Sequence, residues 1–160
     1  MALTQVPNAP IVIVETSFTP NGTQYSSGDA FGGKLSFSPT PRRGVIQSIV
    51  LVDTLLLSPA VDLVLFDRPF TATTDNAAFA PSDADAANIM GIVSFATGNW
   101  ATAFGNNSAA QRSGLGLAYM MNPAGNVDAT DNLEGQLVVR GTPDYGTTDT
   151  FTIRLFIIAG

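Results

Sequence analysis

The sequence contains no histidine and no cysteine, and among its 160 residues there are only one lysine, one tryptophan and two glutamates. Without imidazole or thiol, no side chain has an ordinary pKa near neutrality. Ser-His-Asp and Cys-His catalysis are thereby excluded, as are zinc and iron–sulfur sites built on those ligands. The absence of cysteine also removes any reading of redox compartment. Charged residues make up 12% of the chain, about half of the roughly 25% typical of soluble domains. A surface of Thr, Ser, Asn, Gly and Ala with so little charge suits a protein that spends its life against other protein. The formal net charge is −6, and six arginines beside Lys34 supply no basic surface for phosphates, so no nucleic-acid partner is expected. The opening MALTQVPNAPIVIV has no basic residue and only a short apolar run. Neither a secretory leader nor a membrane span is therefore expected, and the Asn21 and Asn106 glycosylation triplets read as chance. The protein is expected to be made and used without export.

What is present is a core and a rhythm of strands and turns. Apolar residues make up 45%, which argues against disorder, and the length suits one domain. Strands are predicted at Ile11–Phe18, Ala30–Phe37, Val45–Leu57 (one bent strand or two short ones), Val61–Asp67, Ile89–Ala96, Leu115–Met121, Leu133–Arg140 and Thr150–Ile158. Pro20-Asn21-Gly22 and Pro39-Thr40-Pro41 break the chain between them, and Gly32-Gly33 predicts a bulge. Ser82 followed by Asp83 and Asp85 predicts the N-cap of one short helix. About eight strands with one short helix indicate an all-β fold, an antiparallel β-sandwich or jelly roll, over residues 11–160. Val61–Phe66 and Phe156–Ile158 are apolar on both parities. One small sandwich would struggle to cover them, so an oligomer is expected.

Candidate chemistry is sparse. Asp75, Asn76, Asp83 and Asp85 come nearest to a calcium loop, but they lack its alternating Asp and terminal Glu. They read instead as turn and helix caps, as Asp128 and Asp131 read as turn residues, and no metal or cofactor is expected. Glycoside hydrolysis needs two facing carboxylates, and neither Glu15 and Glu134 nor Asp53 and Asp62 are paired by their place in the chain, so no enzyme is expected. Gly32-Gly33-Lys34 and Ser113-Gly114-Leu115-Gly116 lack the spacing and the following helix of phosphate loops. Trp100, near Phe95 and Phe104, reads either as a sugar platform or as packing against the sandwich edge or a neighbouring subunit. Arg42-Arg43 reads either as a solvated turn or as a pair for acidic side chains on a partner. Residues 1–10 read as an arm or a frayed terminus. Pro7 and Pro10 cannot donate within a central strand, while Leu3 and Val6 would gain from burial on a neighbour. Partner contacts are thus expected from Leu3, Val6, Arg42, Arg43 and Trp100.

The run Leu65-Phe66-Asp67-Arg68-Pro69-Phe70, continuing through Asp75-Asn76-Ala77-Ala78-Phe79 and Ser82-Asp83-Ala84-Asp85 into Met90-Gly91-Ile92-Val93-Ser94-Phe95, resembles a stretch found in small virion proteins of tailed bacteriophages. Tyr25-Ser26-Ser27-Gly28-Asp29 and Leu133–Arg140 are similar too. The resemblance implies a capsid decoration (cement) protein, located on the exterior of a virion made in the host cytoplasm. The partners it implies are the major capsid protein and further copies of the chain, with a homotrimer first because quasi-threefold positions favour closed cyclic assemblies. It carries over no site residue. The alternative is a carbohydrate-binding or fibre-tip module using Trp100.

Overall fold

Alternation along the last strand shows how the fold is built. Phe151, Ile153, Leu155 and Ile157 are all fully buried, while Thr152, Arg154, Phe156 and Ile158 take the other face. The computed structural model describes residues 10–121 and 132–160. In chain order the elements are β1 (Ile11–Phe18), β2 (Ala30–Phe37), β3 (Arg43–Asp53), β4 (Val61–Phe66), α1 (Asp83–Ala86), β5 (Ile89–Phe95), β6 (Trp100–Phe104), β7 (Asn107–Met120), β8 (Leu133–Val139) and β9 (Phe151–Ala159). A five-stranded sheet, β1-β9-β3-β7-β6, faces a four-stranded sheet, β2-β8-β4-β5. All pairings are antiparallel, and they nest: β1 with β9, β2 with β8, β3 with β7, β4 with β5. The all-β sandwich expected from the sequence is therefore the fold, with nine strands rather than eight among the described residues. Among the described residues no helix is long and apolar enough to cross a membrane.

Local chemistry explains where elements begin and stop. The expected bulge at Gly32-Gly33 is the register shift between Phe31 and Leu35. Gly32 has φ +74°, and a Cβ there would lie 2.6 Å from the Phe18 ring, so a side chain would meet both strain and a clash. Ser82 caps α1 as expected: its Oγ accepts from the Asp85 N–H at 3.1 Å and donates to Asp85 Oδ2 at 2.8 Å.

Two strand expectations need correction. Val45–Leu57 is one strand, but it starts at Arg43 and stops at Asp53. The Asp53 carboxylate accepts from the N–H groups of Leu55 and Ser58, both at 2.9 Å, and turns the chain out of the sheet there. Leu115–Met121 is only the end of β7, which begins at Asn107 and forms a hairpin with the unforeseen β6. The connection is the two-residue loop Gly105-Asn106, with Gly105 at φ +74°.

The main core lies between the sheets. A second, smaller core lies outside the four-stranded sheet, where Val64, Phe66 and Val138 meet Phe70, with Ala72, Phe79 and Ile89 around them. The chain between β4 and α1 thus lies as a strap across its own sheet. Gln136, fully buried on that face, fastens it: its Oε1 accepts from Thr73 N at 3.0 Å, and its Nε2 donates to Thr73 O at 2.6 Å and to Gly32 O at 3.1 Å. β4 is covered on both faces, as its composition indicates, but the cover comes from the same chain and not from another subunit.

Candidate interaction surface

Arg42 and Arg43 are exposed, Trp100 is buried, and Leu3 and Val6 lie outside the described residues, as do Asp128 and Asp131. Trp100 keeps 8% of its surface, its Nε1 donates to Pro59 O at 2.9 Å, and its ring meets Phe151 edge-on at 5.8 Å. It is a member of the main core with no open ring face, which corrects its placement as a partner contact or sugar platform. Phe95 is buried while Phe104 is exposed, so the three aromatics form no platform.

Most carboxylates already have work inside the fold. Asp75 Oδ1 accepts from Tyr25 Oη at 2.9 Å and Gly32 N at 2.8 Å, while Asp83 and Asp85 belong to α1. Asp75 and Asp85 are therefore used separately, one on the Tyr25 phenol and the other in the helix cap. Glu15 pairs with Arg154 at 3.0 Å on the five-stranded sheet, and Glu134 pairs with Lys34 at 3.0 Å on the four-stranded one, so the two glutamates do not meet. Asp62 pairs with Arg140 at 2.5 Å.

The buried polar posts are what sequence reasoning missed. Fully buried Asp53 also accepts from Tyr145 Oη at 3.1 Å, and Tyr119 Oη donates to Pro41 O at 3.0 Å. Burial raises the Tyr119 phenol to about 12. Burial also raises Tyr145, reinforced by Asp53, and it raises Tyr25, with the Asn21 N–H offsetting part of the rise and Asp75 adding to it. A signal for Asp53 was available, since it shares the parity of Ile49 and Leu51, both inward-facing.

The outer face of the five-stranded sheet has no strap among the described residues. Register places Ile11 beside Ile158, Ile13 beside Phe156, Val45 beside both Ile158 and Ala118, and Arg43 beside Met120. Cross-strand partners share a face, so these side chains form one apolar patch at one end of the sheet, with Ile11 71%, Ile13 50% and Met120 46% exposed. Arg42 and Arg43 border it, lining a surface depression with Met120 and Gly160. β1 is the sheet's edge. Because Ala159 N donates to Pro10 O at 3.1 Å, alternation turns the backbone N–H and C=O groups of Ile11, Ile13, Glu15 and Ser17 off that edge.

Charge divides along the same line. On the five-stranded sheet and its entry, Arg42, Arg43, Arg112 and Arg154 stand against exposed Glu15, Asp53 being buried. Among the described residues, Arg42, Arg43 and Arg112 have no carboxylate within ion-pair distance, whereas Lys34, Arg68, Arg140 and Arg154 do. The segment 67–88 carries Asp67, Asp75, Asp83 and Asp85 against Arg68 alone. No family model matches the chain, and no curated protein matches it.

Proposed function

We propose that the protein is a structural component of a phage virion, a decoration protein that binds the outside of the capsid shell and assembles with copies of itself. The observation that carries this reading is the resemblance of the 65–95 run, which in this fold forms the end of β4, the strap, α1 and β5. The likeness therefore lies on the element that covers one face of the sandwich. The nested pairing also supports it. With β6 set aside, the sheets read β1-β9-β3-β7 and β2-β8-β4-β5. This order supports reading the chain as a long hairpin rolled on itself, the jelly-roll pattern used by viral capsid and lectin domains. An open apolar face in a chain with so few charges suits broad protein–protein contact. The sugar-binding alternative loses its residue, because Trp100 is packed in the core.

Mass spectrometry of gradient-purified particles, from the host that carries the sequence, tests the reading. The chain should be present at a copy number comparable with that of the shell subunit, and recombinant protein should bind emptied shells. Its absence from particles and failure to bind shells would overturn the proposal.

A further inference from the structure

The geometry points to a head-to-tail interface between copies of this chain, in which the basic, apolar end of the five-stranded sheet docks on the acidic α1 flank of a second copy. Three observations carry it. The patch of Ile11, Ile13, Val45, Met120, Phe156 and Ile158 is open on a face with no strap among the described residues. The arginines beside it, Arg42 and Arg43, have no carboxylate partner among the described residues, although four other cations do. The complementary charge lies on the same molecule, on the segment that crosses the other sheet, where Asp83 is exposed and Asp85 half-buried.

Two copies joined basic face to basic face would set arginines against arginines, a like-charge arrangement that opposes association. Joining that face to the flank of the next copy instead matches Arg42 and Arg43 with Asp83 and Asp85. Both surfaces lie at the same end of the sandwich. Arg43 pairs with Met120 at the start of β3, and the 38–42 turn connects it to the end of β2. Phe37, ending β2, pairs with Leu133, and Phe66 pairs with both Glu134 and Ile89, directly after α1. A contact between two different surfaces is heterologous, and it closes into a ring where its rotation allows, as the trimer of the virion reading requires. The interface rests on that reading only for its ring closure, since self-association can be measured on free protein.

The test is a charge swap on the full chain, read by sedimentation equilibrium at tens of micromolar in low salt, with circular dichroism melts to check folding. Wild type should run as a discrete multiple of the monomer and dissociate as salt is raised. R42E/R43E and D83R/D85R should each weaken assembly by about a hundredfold or more, and the variant carrying all four changes should regain it. Ile11→Ser, which alters an exposed side chain and no charge, should also weaken assembly while leaving the melt unchanged. A wild type that stays monomeric, an R42E/R43E protein that keeps the wild-type mass, or a folded four-fold variant that stays monomeric would overturn the interface. A monomer that still coats shells would overturn it and leave the shell-binding part of the virion reading standing.

Discussion

The outer face of the four-stranded sheet presents Val64, Phe66 and Val138 to a strap of the chain's own residues, whereas that of the five-stranded sheet presents Ile11, Ile13, Phe156 and Ile158 to none among those described. Both faces are apolar, and among the described residues only the first is covered. On the first, Phe66 and Phe70 stack with ring centroids 3.8 Å apart, and Gln136 ties the strap down. On the second, the only ordered polar contact across the face is the Glu15–Arg154 pair, with the Arg154 guanidinium 5.5 Å from the Phe156 ring among the described residues. A face closed within the chain contributes to folding stability at any concentration. A face left for a partner contributes only where the partner is present.

Substitutions on the two faces should therefore separate in size. Phe66→Ala removes the stacked ring under the strap and should cost about 3–5 kcal/mol in urea unfolding. Gln136→Ala leaves the Thr73 N–H and C=O and the Gly32 C=O without their partner, and should cost about 1–3 kcal/mol by the same measurement.

Alkaline pH should loosen the tyrosine posts as well. The folded Tyr119 phenol sits at about 12 against an ordinary value of 10.0, so the folded state holds its proton longer than the unfolded chain does. That contribution is complete below pH 10 and is lost as pH rises through 12. The urea midpoint should fall across that window, and Tyr119→Phe should flatten the fall.

The smallest effect belongs to the open face: Ile13→Thr should change monomer stability by no more than about 0.5 kcal/mol at high dilution. A loss as large as that of Phe66→Ala would erase the distinction between the faces.

Where turn chemistry and alternation agree, the strands were legible from the amino acids. β1 and β2 run between the expected residues, Ile11–Phe18 and Ala30–Phe37, because Pro20-Asn21-Gly22 and the proline pair around Thr40 close them off. The hairpin of β6 and β7 was not legible. Its residues are mostly small and polar, its aromatic core residues are Trp100 and Tyr119, and only the Gly105-Asn106 pair marked the turn. The two-sided burial of β4 was readable in Val61–Phe66, but its cover was not. The strap is rich in Pro, Thr, Ala and Asp, and it contributes only Phe70, Phe79 and Ala72 to the second core. The open patch was hidden differently. Ile11-Val12-Ile13-Val14 is apolar on both parities, and only the register with β9 shows which two side chains point out. Arg42 and Arg43 were legible as exposed because the chain has so few cations.

The nested pairing also sets the order in which this chain becomes a protein on the ribosome. Ile11 pairs with Ile158, so β1 emerges first and waits for nearly the whole polypeptide before it has a partner. β2 waits for β8 and β3 for β7, whereas β4 and β5 close over a shorter stretch and the β6–β7 hairpin closes at once. Each outward pair closes a longer loop at greater entropic cost, a topology associated with slow folding. β9, which lies between β1 and β3, is synthesised after all the other strands of its sheet. Translation must therefore deliver residue 159 before the five-stranded layer can exist, and until then its apolar strands are open to the chaperones and neighbouring chains of the cell.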